Sequence, residues 1–422
     1  MQRSTHRILT THIGSLIRPP ELVNLLQRRQ RHEPYDEQAY DECLKNAVAQ
    51  VVQQQAEVGV DIVSDGEFGK SSWFRYLSDR LGGFEQRQPP PGEVTVPRGK
   101  DREDFPEFYA ELEGQGGPGA ISATLVCMAP IRYTGQAALE RDISNFKAAL
   151  AGVQVEEAFL PVAAPASIEP GRINAYYPTE EAYVYALADA MKVEYNRIVA
   201  AGLLLQVDDA WLPAMWDRML PNVDMQQFRK YAALRIEALN HALAGIPEEK
   251  VRYHVCWGSW NGPHTTDIPL KDIVALVLQV RAGGYAIEAA NPRHAHEWQV
   301  WKDVKLPDGK VLIPGMISHA TNIVEHPELV AWRIQLYASV VGRENVLAST
   351  DCGFAQRPSS AAFTQPSCGR SSEPWPRVLR WPRKPYGTTE RCVSCSLLSG
   401  LRITSRLVSM RRVRSSPASS SS

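Results

Sequence analysis

The sequence predicts a (β/α)8 barrel over residues 1–357, and three observations predict it. Eight short apolar runs of strand type recur along the chain. Stretches with helical spacing lie between them, and that alternation implies a parallel sheet, most economically closed on itself. The third observation is where the chemistry falls. The carboxyl ends of the runs carry Ser15, Glu67, Asp208, His254, Cys256, Glu288, His319 and Cys352, and barrel enzymes build their sites at those ends.

In chain order, the strand-type runs begin with THIGS (11–15) and VDIVSDGE (60–67). AFLPVAAPAS (158–167), LLLQVDD (203–209) and RYHVC (252–256) follow, then YAIEAA (285–290), VLIPGMISH (311–319) and VLASTDC (346–352). Between them, DECLKNAVAQVVQQQAEVG (41–59), EEAYVYALADAMKVEYNRIVAAG (180–202) and QQFRKYAALRIEALNHALAG (226–245) repeat apolar residues every three to four positions, as amphipathic helices do. The stretch 88–118 is rich in Pro, Gly and charge and leads into ATLVCMAPIRYTG (123–135). It is expected as a hairpin or loop insertion after the second strand, not as a ninth barrel strand.

Composition narrows the function classes. At 422 residues with 44% hydrophobic and 22% charged, the chain can bury a large core. A formal net charge of −1 argues against a broad nucleic-acid surface. No run of about 18 uncharged apolar residues is present, so nothing is expected to span a membrane. The first residues, MQRSTHRILTTHIGS, lack the apolar stretch of a secretory signal. Seven irregularly spaced cysteines suit reduced thiols in a cytoplasm better than a disulfide framework.

Charge is uneven along the chain. Residues 358–422 hold eleven Lys and Arg against two acidic residues, with sixteen Ser and seven Pro. Such a segment buries too little apolar surface to offset the entropy of ordering, so a disordered tail is expected. An altered reading frame near Arg357 is the alternative, because composition shifts abruptly there.

His254 and Cys256, Glu288 and Cys352 come from three strand ends. Two thiolates, an imidazole and a carboxylate make a tetrahedral donor set of soft and borderline ligands, which suits one zinc ion per chain.

On THIGS (11–15), DGEF (65–68), QVDD (206–209), HVC (254–256), IE (287–288) and TDCG (350–353), the chain resembles the catalytic barrel of cobalamin-independent methionine synthase. The likeness is to the single-barrel branch, which also includes epoxyalkane:coenzyme M transferases, with a barrel of the methionine synthase/uroporphyrinogen decarboxylase-like type. It runs from about Thr10 to Phe354. The resemblance implies zinc held by His254, Cys256, Glu288 and Cys352. Homocysteine would be held by the backbone from Ile13 to Ser15 with Glu67 and Asp208, the two carboxylates taking its ammonium group. His319 would supply or relay a proton, and Val126 and Cys127 fall where the family's hairpin contacts folate. The implied reaction moves a methyl group from a methylated folate to the metal-bound thiolate, giving methionine. Three features depart from the long synthases: no second, N-terminal barrel is expected, VAAPAS (162–167) has no match for the tryptophan that stacks on the pterin, and soon after Cys352 the basic, Ser-rich tail stands where the family continues into the last barrel helix. Alkyl transfer of the epoxyalkane type and an inactive product with an incomplete barrel therefore stand as alternatives.

Overall fold

The computed structural model describes residues 1–87, 98–114, 124–258, 262–321 and 323–355. The expected tail, 358–422, lies outside the described residues, as do 88–97 and 115–118; residues 98–114 between them, expected as part of a hairpin or loop, are largely helical. In chain order the elements are β1 (Leu9–Thr10), α1 (Pro20–Gln30), α2 (Glu37–Glu57), β2 (Ile62–Ser64), β3 (Leu81–Arg87), α3 (Lys100–Asp104), α4 (Pro106–Gly114), β4 (Thr124–Tyr133) and α5 (Gln136–Leu150). Then come β5 (Glu157–Ala163), α6 (Pro165–Ile168), β6 (Arg172–Asn174), α7 (Glu180–Ala200), β7 (Leu204–Asp208), α8 (Trp211–Met219) and α9 (Met225–Ala242). The last are β8 (Val251–Val255), α10 (Leu270–Val277), β9 (Gly284–Ile287), α11 (Val300–Asp303), β10 (Val311–Ile317), α12 (Pro327–Val341) and β11 (Leu347–Thr350).

Eight strands form one sheet in the order β1-β11-β10-β9-β8-β7-β5-β2. Every pairing within it is parallel. A parallel bridge between Thr11 and Ile62 joins the two edges, so the sheet closes as the (β/α)8 barrel that the sequence predicts. Local signals set the helix starts. Asp36 and Thr179 accept amide hydrogens at the beginnings of α2 and α7, and Asp224 with Gln227 forms a capping box at α9.

Outside the barrel, β3 and β4 pair antiparallel, and β6 adds to β4 in parallel. No sequence signal pointed to β6, a three-residue strand after a short helix. No helix among the described residues is long and apolar enough to cross a membrane.

The barrel interior changes character along its axis. Leu9, Ile62, Phe159, Leu204, Val311, Ile313 and Leu347 pack as a separate apolar cluster inside it. Side chains alternate along each strand, so the next inward positions on β7 are Gln206 and Asp208, and on β8 they are Arg252 and His254. All four are buried. An apolar floor thus carries a polar upper half, and the polar half faces the carboxyl ends of the strands.

Several strands stop sooner than the apolar runs suggest. THIGS is mostly the loop after β1. VDIVSDGE is strand only to Ser64, and AFLPVAAPAS turns helical at Pro165. The reason is side-chain competition for the backbone. Ser64 Oγ accepts from the Gly66 amide at 3.0 Å and Asp65 Oδ1 from the Glu67 amide at 2.9 Å, which bends the chain into a turn.

Candidate functional site

Three of the four expected metal ligands converge. His254 and Cys256 leave β8 two residues apart and so share a side, while Cys352 follows β11 on the far side of β9 and β10. The His254 ring nitrogens and the Cys256 and Cys352 sulfurs supply three ligand atoms, all buried, within 4.8 Å of one another. The two sulfurs are 3.9 Å apart. Two thiolates on one tetrahedral zinc at about 2.3 Å each stand roughly 3.8 Å apart, so this spacing fits a shared ion.

The imidazole is aimed for the same task. His254 Nδ1 lies 2.9 Å from Asp208 Oδ1, whereas Nε2 is buried without a partner. A carboxylate on one ring nitrogen fixes the tautomer and leaves the other lone pair for a metal. The electrostatics call for a cation. Burial pulls the His254 pKa down, yet its bond to Asp208 and the charges of Cys352 and Glu288 outweigh burial and raise it to about 9. The Cys256 thiol is pushed well above its ordinary value by its bond with Cys352, by burial and by the charges of Cys352 and Glu288.

Glu288 stands beside the three without joining their close group. Its Oε1 accepts from the Trp257 amide at 3.0 Å and its Oε2 from Asn291 Nδ2 at 2.6 Å. Burial first, then the charge of Asp351, raises its pKa to about 8. The sequence reading missed Asp351. Its Oδ1 accepts from the Ala289 and Ala290 amides at 2.7 and 2.8 Å, and its Oδ2 from the Asn291 amide at 2.8 Å. One side chain next to a ligand therefore shapes the loop that carries Glu288. The available signal was its place in TDCG.

Glu67 sits in the left-handed region, φ 59°, a conformation uncommon for residues with side chains and frequent at functional sites. Its carboxyl group is buried with Oε2 unpartnered. Burial first, then the charges of Asp208 and Asp65, outweigh Lys70 and Arg18 and raise its pKa to about 8. A Cβ at Gly14 would come within 2.7 Å of Glu67 Oε1, so only glycine lets the loop after β1 approach so closely. Ile13 O accepts from Gln206 Nε2, and Gln206 also donates to Asp208 at 2.9 Å. Ser15 O accepts from the Phe354 amide at 2.9 Å, and its hydroxyl from the Ala355 amide at 3.4 Å. Ile13, Ser15, Glu67 and Asp208 are all buried at the carboxyl ends of β1, β2 and β7.

His319 is buried two residues beyond β10, with Nδ1 unpartnered. Burial, reinforced by the charges of His254 and His264, lowers its pKa to about 3, so it is neutral at ordinary pH. Val126 and Cys127 lie in β4 of the outer sheet, where the Cys127 thiol donates to Ala129 O at 3.4 Å. Cys127 packs into the main hydrophobic cluster and lies outside the close metal-ligand group.

A family model described as "Cobalamin-independent synthase, Catalytic domain" matches residues 8–89. A methionine synthase from Thermococcus kodakarensis is 23% identical over 346 residues, covering 82% of this chain and 86% of that protein. A methionine synthase from Pyrococcus furiosus is 24% identical over 346 residues, with the same coverage of 82% and 86%. Among solved structures, a B12-independent methionine synthase from Shewanella sp. W3-18-1 superposes with a TM-score of 0.62 at 17% identity, covering 84% of this chain and 92% of that one. In sequence and in fold, the chain resembles the cobalamin-independent methionine synthases in their single-barrel form.

Proposed function

We propose that this protein is a zinc-dependent thiol methyltransferase that forms methionine from homocysteine, with a methylated folate as donor. The observation that carries the reading is the unpartnered Nε2 of His254 beside two sulfurs 3.9 Å apart. His254, Cys256 and Cys352 would hold the ion, with Glu288 as the fourth donor. Bound zinc lets an incoming thiol lose its proton at neutral pH while leaving it nucleophilic. The methionine synthases among its relatives support the reaction class.

The remaining groups serve the substrate. Glu67 and Asp208 are buried carboxylates whose charges oppose each other, and Glu67 keeps an oxygen without a donor. An ammonium group between them would relieve that repulsion and supply the donor, which favours an amino-acid thiol. Asp208 also orients His254 through Nδ1. His319, neutral and with Nδ1 unpartnered, would pass a proton on rather than store it. The residues after β5 bear on a second reading. Ala163 to Ser167 offer no aromatic platform for a pterin, which leaves alkyl transfer of the epoxyalkane:coenzyme M type as the competitor.

The test loads the full chain with zinc and supplies homocysteine, 2-sulfanylethanesulfonate or mercaptoethanol, each with a methylated folate or an epoxyalkane. The expected outcome is about one zinc per chain and methionine from homocysteine and methylated folate. Preference for the sulfonate thiol and epoxide would establish the competitor. Zinc-free protein that keeps full activity would exclude both.

A further inference from the structure

Arg18 is a buried cation whose hydrogen bonds all go to backbone carbonyls. Nη1 donates to Ala355 O at 3.0 Å, while Nη2 donates to Glu67 O at 2.6 Å and Lys70 O at 3.1 Å. Its Nε is buried without a partner. Burying a guanidinium whose hydrogen bonds reach no carboxylate, with Glu67 and Asp65 acting only through their nearby charges, is costly, and packing alone does not call for it. The three carbonyls belong to two separate segments, the turn after β2 and the chain after Cys352. Arg18 itself belongs to a third, the loop after β1.

The same three segments are already stitched together by their backbones. The Leu16 amide donates to Gly66 O at 3.1 Å and the Phe354 amide to Ser15 O at 2.9 Å. Contact is so close that a Cβ at Gly353 would fall 2.0 Å from Ser15 Oγ. One segment carries Glu67, another carries Cys352, and the third carries Ser15.

We infer that Arg18 is a positioning residue that locks these three loops into one unit, so that the substrate-holding Glu67 and Ser15 keep a set place relative to the ligand Cys352. The role assigned to Glu67 and Ser15 rests on the methyltransferase reading; the lock itself does not. The guanidinium suits the task because its planar fork reaches carbonyls in different directions, which an ammonium on a flexible stem does less well. Its positive charge also lies close enough to favour the ionised form of Glu67.

The test uses zinc-loaded full-length protein as Arg18→Gln, Arg18→Lys and wild type, with hydrogen exchange as the first readout. Arg18→Gln is expected to speed exchange at the Leu16, Lys70 and Phe354 amides together, with β8 unchanged, and Arg18→Lys to restore part of the protection. With homocysteine as substrate, Arg18→Gln should raise KM by about 10-fold or more while zinc stoichiometry stays at the wild-type value. Exchange that is unaltered, altered in one segment alone, or uniformly faster across the barrel overturns the lock. Wild-type protein that does not bind homocysteine overturns the substrate reading instead, and the exchange pattern still decides on Arg18.

Discussion

The nitrogen of His254 that has no partner determines what the two cysteines can share. A proton or a metal ion can take Nε2, and the negative charge around it favours either over an empty lone pair. Zinc must displace protons from His254, whose pKa is raised to about 9, and from Cys256, whose pKa is raised further. The sign follows directly. Below those values the proton competes with the ion, so zinc affinity should climb as pH rises from about 6 to about 9 and protons should be released on binding. Chelator competition across that range, with calorimetry in two buffers, reads both effects; a flat profile would remove His254 and Cys256 from the ligand set. Substituting Cys256→Ser or Cys352→Ser should lower affinity roughly 10-fold or more, because a hard hydroxyl replaces a soft thiolate. Glu288→Gln should cost less. Both of its oxygens already accept hydrogen bonds, from the Trp257 amide and Asn291, whereas the sulfurs and the His254 nitrogen face one another.

At the scale of the element, the loop after β9 depends on Asp351. Its two carboxylate oxygens receive the Ala289, Ala290 and Asn291 amides, and Asn291 in turn donates to Glu288. Asp351→Asn keeps the shape but turns an N–H2 group toward amides that need acceptors. We expect a loss of about 1–3 kcal/mol in stability, and weaker zinc binding because Glu288 and Cys352 shift together. Cys352→Ser should weaken zinc binding without that loss in the metal-free protein, so thermal melting without zinc separates the two variants. Equal melting of Asp351→Asn and wild type would show that the loop holds itself. This is also where sequence reading reaches its limit. The strands were legible because apolar runs of four to eight residues report burial, and the ligands were legible because their types at strand ends are chemically specific. Asp351 and Arg18 were not legible. Their partners lie tens to hundreds of residues away, and nothing local in the chain reports a carbonyl waiting across the barrel mouth. Residues 11–15 and 165–167 were read as strand because apolar content does not show where a Ser or Pro takes over the backbone.

At the scale of the whole molecule, the ring of strands is complete by Thr350. The first and last strands pair in register, Leu9 with Leu347 and Thr10 with Ala348, and the Thr11–Ile62 bridge closes the other seam. The chain after Cys352 still contributes through Ala355, whose carbonyl takes Arg18 and whose amide reaches Ser15. Among the described residues, every group assigned to the site lies at or before residue 355, and the chain runs on through residues 358–422. Ten of their eleven basic residues, all but Lys384 before Pro385, are also sites for trypsin. A segment rich in Ser and Pro buries little apolar surface, so cleavage there should outpace cleavage in the barrel. Limited trypsin digestion of zinc-loaded protein is thus expected to leave a fragment close to residues 1–357 that melts cooperatively and keeps its zinc. A barrel of this kind ordinarily covers its last strand with a helix, and that sets up the opposing result. If trimming the tail lowers the melting temperature sharply or releases the metal, the basic segment is what covers β11 and β1. Protection of its arginines in the intact protein would then accompany that loss, and the two measurements together decide whether the tail is an appendage or the final layer of the barrel.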